Sequence, residues 1–443
     1  MRRHSAAPRV LRSLAASFAC LVLGGCALFE PARPALPENA VPPIDTATGE
    51  ERIRMWREDV DSFEKLLRQR HGGLFVVLPE SSFNAQLASL RTDLPTLSDD
   101  QIVVRLQAIA ASIGSGHTAV HVDRGKLVPA RLPIELRWLS DGVLVTATTE
   151  EYAELRGERF VGIGDYDLDT VIASVTKITP HENQAYLTQG ATKLLVEAQT
   201  LHGLGLVDDP NNVPIRVKTR DGDEMTRMVA PVAPGTKYVL ISAVDPKQTS
   251  FTRLPRPENS LYGTKFVEES RTLYVWYDAC RDDKTKSVAE FSRDALKEID
   301  TLQPRLVVVD LRRNGGGNSA LLHPLIDGIA TRPRINDPKR LVVLIGSNTF
   351  SSAGLNAGEF KSRTKATLMG QPTGQRPDSW FECRWDWLPN SLLRVTYMLW
   401  APSFKPGEPD SYMPDIYVPV TCEDWLSGRD LTYERALKLA PQN

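Results

Sequence analysis

The run Leu306-Val-Val-Val-Asp310-Leu-Arg-Arg-Asn-Gly-Gly-Gly-Asn-Ser319 joins a short apolar stretch to three consecutive glycines. Four apolar residues closed by an aspartate predict a strand buried on both faces. Glycines carry no side chain to pack and lose the most backbone freedom on folding. Three in a row make sense where bare backbone must approach a neighbour closely and present N–H groups to it, although a tight turn alone would also use them. A second junction is built the same way. The apolar run Leu341 to Gly346 leads into Asn348-Thr-Phe-Ser-Ser-Ala-Gly354, which opens a helix reaching Arg363. A serine there stands at the mouth of the sheet and at the positive end of a helix, where backbone N–H groups are unpaired. Open parallel sheets carry their sites just beyond their strand ends. Taken singly, Ser351 or Ser352 would also serve as a plain helix cap.

Outward from these junctions the pattern keeps alternating. Thr272 to Tyr277 reads as a strand, Ser287 to Ile299 as a helix and Ala320 to Ile329 as another, so the C-terminal part predicts a largely parallel sheet with covered faces. Trp385 to Val420 reads as hairpin-like strands around Pro389-Asn390. Upstream, residues 118–240 are rich in β-branched alternation, with turn signals at Asp141-Gly142 and Asp221-Gly222. The part from Gly142 to Val175 faintly resembles a piece of a PDZ fold, but no complete PDZ domain is evident. Before it, Ile53, Trp56, Val60, Phe63, Leu66 and Leu67 recur at helical spacing, and Ser98 with Asp99 and Asp100 predicts the start of a helix running to Ser112. No internal repeat is evident.

The first residues predict export. Arg2, Arg3, Arg9 and Arg12 precede an apolar run from Leu14 to Leu23, too short to serve as a mature membrane span. The run ends in Leu23-Gly-Gly-Cys26, which resembles the lipobox of bacterial lipoproteins; the resemblance implies a lipidated Cys26 as mature N-terminus. Several acyl chains at ~0.8 kcal/mol per methylene make a durable anchor. Ala27 is not the aspartate that retains some lipoproteins in the inner membrane, so the expected place is the outer membrane, facing the periplasm. Pro31, Pro34, Pro37, Pro42 and Pro43 then predict an extended tether. Without Cys20 and Cys26, three cysteines remain, Cys280, Cys383 and Cys422; Cys383 and Cys422 are able to pair, and an odd count leaves at least one thiol over. A net charge of −2, with 24% charged and 42% hydrophobic residues, describes a globular chain and offers no electrostatic case for nucleic acid.

The two glycine- and serine-bearing junctions, followed by Gly370-Gln-Pro-Thr-Gly374, Met413-Pro-Asp-Ile416 and Gly428-Arg-Asp430, resemble the tail-specific (C-terminal processing) protease family and its tricorn relatives. The resemblance spans about Leu273 to Leu439. It implies an α/β catalytic domain of the Clp protease/crotonase-like fold, with Ser351 as nucleophile. The backbone N–H groups of Ser352 and of the Gly316–Gly317 turn would form the oxyanion hole.

Serine needs a base. The C-terminal processing branch uses a lysine at a position that falls here on Arg376, and arginine stays protonated. Lys361 and Lys365 stand too close to the serine in sequence to take that role. The tricorn-like branch uses a histidine, and Ile113-Gly-Ser-Gly-His-Thr118 resembles its Asp-Gly-His-Thr motif, which makes His117 the expected general base. Ser115 replaces the usual aspartate, a departure that concerns how the loop is held. His121 lies on the same strand face, a pair without a third ligand, so no metal and no other cofactor is expected. The partner expected to orient His117 is Glu408, at about the tricorn separation, with Glu382 and Asp378 as alternatives.

The expected organisation is therefore a signal peptide over 1–25, a tether over 26–49, a helical region carrying the histidine over 50–125, a β-rich and partly PDZ-like region over 126–240, and the catalytic domain over 241–443. The expected function is a serine-type peptidase acting on periplasmic polypeptides. The alternative is a non-catalytic ligand- or peptide-binding protein on the same fold, which would be free to lose Ser351, the glycines or His117. A crotonase-like acyl-CoA enzyme is disfavoured by the export signal.

Overall fold

The computed structural model describes residues 40–257, 260–379, 381–403 and 408–441. The expected signal peptide, Cys26 and most of the tether lie outside them. The end of the expected tether belongs to the folded body, because Ile44, in a single 3-10 turn at Pro43–Asp45, is fully buried. Three helices follow: α1 (Gly49–Arg70), α2 (Glu80–Asp93) and α3 (Asp99–Ser112). The apolar stripe of α1 buries Trp56, Val60, Phe63 and Leu67, as its spacing predicts. Helix α3 starts at a capping box, in which Ser98 Oγ accepts from the Gln101 N–H at 3.2 Å and Gln101 Oε1 accepts from the Ser98 N–H at 2.9 Å. A loop then leads into β1 (Ala119–His121). The region is not a body of its own, however. Its core takes in Leu388, Leu393, Val395, Tyr397 and Met398 from the far end of the chain.

The middle region comprises β2 (Ile134–Leu139), β3 (Gly142–Thr148), β4 (Arg159–Ile163), β5 (Tyr166–Asp167), α4 (Leu168–Thr176), α5 (Gln184–Leu194), α6 (Ala198–Gly203), β6 (Val213–Lys218), β7 (Glu224–Val229) and β8 (Ile241–Ser242). Its strands form an antiparallel sheet in the order β2-β3-β4-β6-β7, with β5 against β4 and β8 against β3. The three helices are additions to the strand reading. Asp167 caps α4 and Asn183 caps α5 through their side chains, and Val171, Val175, Leu187 and Ala191 pack into the sheet's core.

The last region runs β9 (Tyr262–Val267), β10 (Thr272–Tyr277), α7 (Val288–Leu302), β11 (Leu306–Asp310), α8 (His323–Ala330), β12 (Leu341–Ile345), α9 (Ser352–Arg363), β13 (Thr367–Gly370), β14 (Phe381–Trp387), β15 (Arg394–Trp400), β16 (Ile416–Tyr417), α10 (Cys422–Leu426) and α11 (Leu431–Leu439). Six strands form one sheet, β16-β13-β12-β11-β10-β9, parallel except for the antiparallel edge strand β9. Alternate strand residues explain its two covered faces. Leu273, Val307, Val309 and Val343 meet α7, α8 and α9, whereas Tyr274, Val308, Val342 and Leu344 meet α11. Strands β14 and β15 leave this sheet and join β1, with Ala119 opposite Thr396 and His121 opposite Arg394. Cys280 and Cys422 are buried and Cys383 is exposed, and none forms a disulfide.

Candidate active site

Ser351 sits on the turn between β12 and α9 with φ +54° and ψ −129°, a conformation L-residues rarely adopt. Strain of this kind costs about 1–3 kcal/mol and persists only where the surroundings over-determine it. They do so here. The Phe350 N–H donates to the Asn314 carbonyl at 3.1 Å. Thr349 Oγ1 donates to the Leu311 carbonyl at 2.9 Å and accepts from the Gly346 N–H at 3.1 Å. The Gly374 N–H, from the turn after β13, donates to the Thr349 carbonyl at 3.1 Å. The two sequence junctions are thus one structure, the glycine turn bracing the serine turn.

Glycine is required at two of the three positions. Gly316 has φ +109°, and a Cβ there would stand 2.6 Å from Ser351 Cβ. Gly317 has φ +136°, and its Cβ would stand 2.2 Å from the Cys280 carbonyl oxygen. The expected oxyanion donors change in one respect: the Gly316 N–H is held by Asn314 Oδ1 at 2.9 Å. Among the described residues no acceptor meets the N–H of Gly317 or of Ser352. Ser352 Oγ donates to the Gly317 carbonyl at 2.6 Å and ties the two donors together. Gly316 contributes closeness, and the N–H groups left open beside Ser351 are those of Gly317 and Ser352. Asn314 itself is fully buried and donates through Nδ2 to the Tyr277 carbonyl at 2.8 Å.

The aspartate and arginine of the first motif are structural. Arg312 bridges Asp310 and Asp430 with Nη2–oxygen distances of 2.7 Å to each, and Tyr274 Oη donates to Asp310. Burial alone would raise both carboxyls, but the adjacent guanidinium holds each below the usual carboxylate range.

His117 belongs to the loop before β1. Ser115, at the position of the usual aspartate, is fully buried, and its Oγ accepts the His117 N–H at 3.2 Å, so a short local turn holds the loop. The imidazole stacks on Phe350, next to the serine, with 4.4 Å between ring centres, and Tyr186 stacks on Phe350 at 4.1 Å. Ser351 Oγ has no hydrogen-bond partner among the described residues, and the imidazole lies against Phe350, the residue before it. His121 lies farther along β1, where its Nε2 is 3.4 Å from Thr396 Oγ1.

The carboxylate beside His117 is that of Glu182, from the loop between α4 and α5, with Oε1 3.6 Å from Nδ1. Glu408 is instead exposed, as are Asp378 and Glu382, the latter paired with Arg384. Nothing in the sequence singled out Glu182; its only local signal was Asn183 as a helix cap. Arg376 donates its backbone N–H to Glu182 Oε2 at 3.4 Å. Lys361 is exposed and paired with Asp415, and Lys365 is exposed.

No family model matches the chain, and no curated protein does either. Solved structures do. The structure of mature CPAF complexed with lactacystin superposes with a TM-score of 0.62 at 13% identity, covering 87% of this chain and 97% of that one. The fold is that of mature CPAF. A second structure of mature CPAF gives a TM-score of 0.60 at 13% identity, over 87% and 96% of the two chains. The photosystem II D1 C-terminal processing protease is also similar, at 15% identity and a TM-score of 0.37 over 87% and 99% of the two chains. The expected fold class, an α/β body preceded by helical and β-rich regions, is the one observed.

Proposed function

We propose that the chain is a serine peptidase of the tail-specific kind, hydrolysing peptide bonds in polypeptides through an acyl-enzyme on Ser351. The observation that carries this reading is the strained backbone of Ser351 at the start of α9, with Gly316 pressed against its Cβ. A binding protein on this fold has no use for that strain, whereas a nucleophile gains exposure and orientation from it. Ser351 Oγ attacks the carbonyl carbon while His117 takes its proton. The oxygen that becomes negative is met by the N–H groups of Ser352 and Gly317 at the positive end of α9. His117 then delivers the proton to the leaving amine, and a water molecule, deprotonated by the same imidazole, releases the acyl group.

The test is labelling with a serine-reactive fluorophosphonate, together with hydrolysis of an unfolded protein substrate. Ser351→Ala and His117→Ala should each lower turnover on the order of 10³-fold or more, with little further loss in the double variant. Undiminished labelling in Ser351→Ala, or losses that multiply, would refute it.

The same reading includes a place of action. Leu23-Gly-Gly-Cys26 supports a lipid anchor on Cys26 in the bacterial envelope, with the outer membrane facing the periplasm as the proposed site. Among the described residues no helix is long and apolar enough to cross a membrane. Cys26→Ser should release the protein from membranes or stall its precursor. Continued membrane attachment with an unmodified N-terminus would refute the anchor.

A further inference from the structure

Glu182 is distant in sequence from both Ser351 and His117, yet its side chain is fully buried beside the imidazole. A buried carboxylate is costly unless donors converge on it. Three do, from two other regions of the chain. The Gly116 N–H donates to Oε1 at 3.2 Å, while Ser379 Oγ at 2.5 Å and the Arg376 N–H at 3.4 Å serve Oε2. His117 Nδ1 is buried without a hydrogen bond, and the atom facing it is Glu182 Oε1, 3.6 Å away. We infer that Glu182 is the positioning residue of His117, and that docking of the middle region makes the base competent by delivering it; this rests on the serine–histidine reading above.

The chemistry follows from the tautomer. A carboxylate at Nδ1 holds the ring proton there and leaves Nε2 to accept the serine proton, and it stabilises the imidazolium that forms. Among the described residues, Glu182 is the carboxylate within ion-pair reach of His117. Tyr186, which shares the stack on Phe350, stays neutral, since burial pushes its hydroxyl up to about 12. Delivery depends on the next residue. Asn183 Oδ1 caps α5 by accepting the Tyr186 N–H at 2.9 Å. Its Nδ2 reaches across to the Thr373 carbonyl at 3.0 Å, the Asp410 carbonyl at 2.7 Å and Ser411 Oγ at 2.9 Å. One amide thus fastens the middle region to the catalytic body and fixes the carboxylate beside it.

Glu182→Gln, Glu182→Asp and Asn183→Ala in the mature chain test this through the pH profile of peptide hydrolysis, the rate of fluorophosphonate labelling and thermal unfolding. Glu182→Gln should lower kcat about 10²- to 10⁴-fold with KM little changed, and move the acidic limb of activity to lower pH, because the imidazolium loses its counter-charge. Glu182→Asp should recover part of the rate and restore the limb. Asn183→Ala, which keeps the carboxylate but releases its loop, should slow labelling by at least tenfold in protein that still unfolds cooperatively. A folded Glu182→Gln with the wild-type limb and rate overturns the inference. If Glu182→Gln does not fold, wild-type labelling in Asn183→Ala overturns it. Failure of the wild type itself to label would strike the peptidase reading instead.

Discussion

Replacing Gly316 with alanine tests how closely the glycine turn is fitted to the serine. The new Cβ would lie 2.6 Å from Ser351 Cβ, 3.0 Å from the Phe350 carbonyl oxygen and 3.1 Å from Ser351 Oγ. Carbon atoms meet comfortably at about 3.5–4.0 Å, so the overlap is about 1 Å. The obstacles are backbone and the first atom of a side chain, neither of which swings away, so the two turns must part. The backbone φ of +109° adds about 1–3 kcal/mol for any residue with a Cβ. The variant should therefore unfold several degrees lower. Its Ser351 should label at least about 10²-fold more slowly, the cost of misplacing a reacting group by 1 Å. Gly315→Ala is the internal control, since a Cβ there meets nothing within 4 Å and φ lies outside the positive range. Thermal unfolding and the fluorophosphonate labelling rate should be read on both variants. A Gly316→Ala protein indistinguishable from wild type, or a Gly315→Ala protein worse than it, would refute the reasoning.

Arg376→Ala should retain turnover within about tenfold, because its backbone N–H serves Glu182 and a guanidinium cannot act as a base; a loss as complete as that of Ser351→Ala would reassign it. Asp430→Asn should cost about 3–5 kcal/mol in urea unfolding, since it strips one carboxylate from the Arg312 bridge and leaves the cation part-paired; an unchanged midpoint would refute that role. Acid should also weaken the fold. Burial lowers His71 and His121 to about 4, so the folded state prefers both neutral. That stability is complete above about pH 6.5 and fades as pH falls toward 4, amounting to at most about 3 kcal/mol for His71. An unfolding temperature constant between pH 6.5 and 4.5 would contradict it.

Much of this was legible from local pattern. Ser98 marked the start of α3, and the strands Leu306–Asp310 and Leu341–Ile345 stood out as short apolar runs between helices. Ser351, Gly317 and His117 were marked by motifs that hold residue types at fixed local spacing. What escaped was set by distance. Glu182 reaches His117 across 65 residues, and no periodicity announces such a contact. The helices α4 and α5 were obscured by the β-branched residues around them, with only Asp167 and Asn183 to mark their caps. The Gly316 N–H looked available until Asn314, two residues before it, turned its side chain back onto it.

The hairpin of β14 and β15 carries a consequence for how the molecule comes into being. Val395, Tyr397 and Met398 complete the core of α1 to α3, more than 270 residues after those helices begin to be made. Until they emerge, Trp56, Phe63 and Phe83 have no lid and expose the kind of surface that aggregates. The N-terminal helices therefore cannot finish folding in the order of synthesis. So long a loop must close before its contacts repay the entropy, which slows this step. The histidine loop lies between α3 and β1, so its surroundings are complete only once β15 has paired with β1.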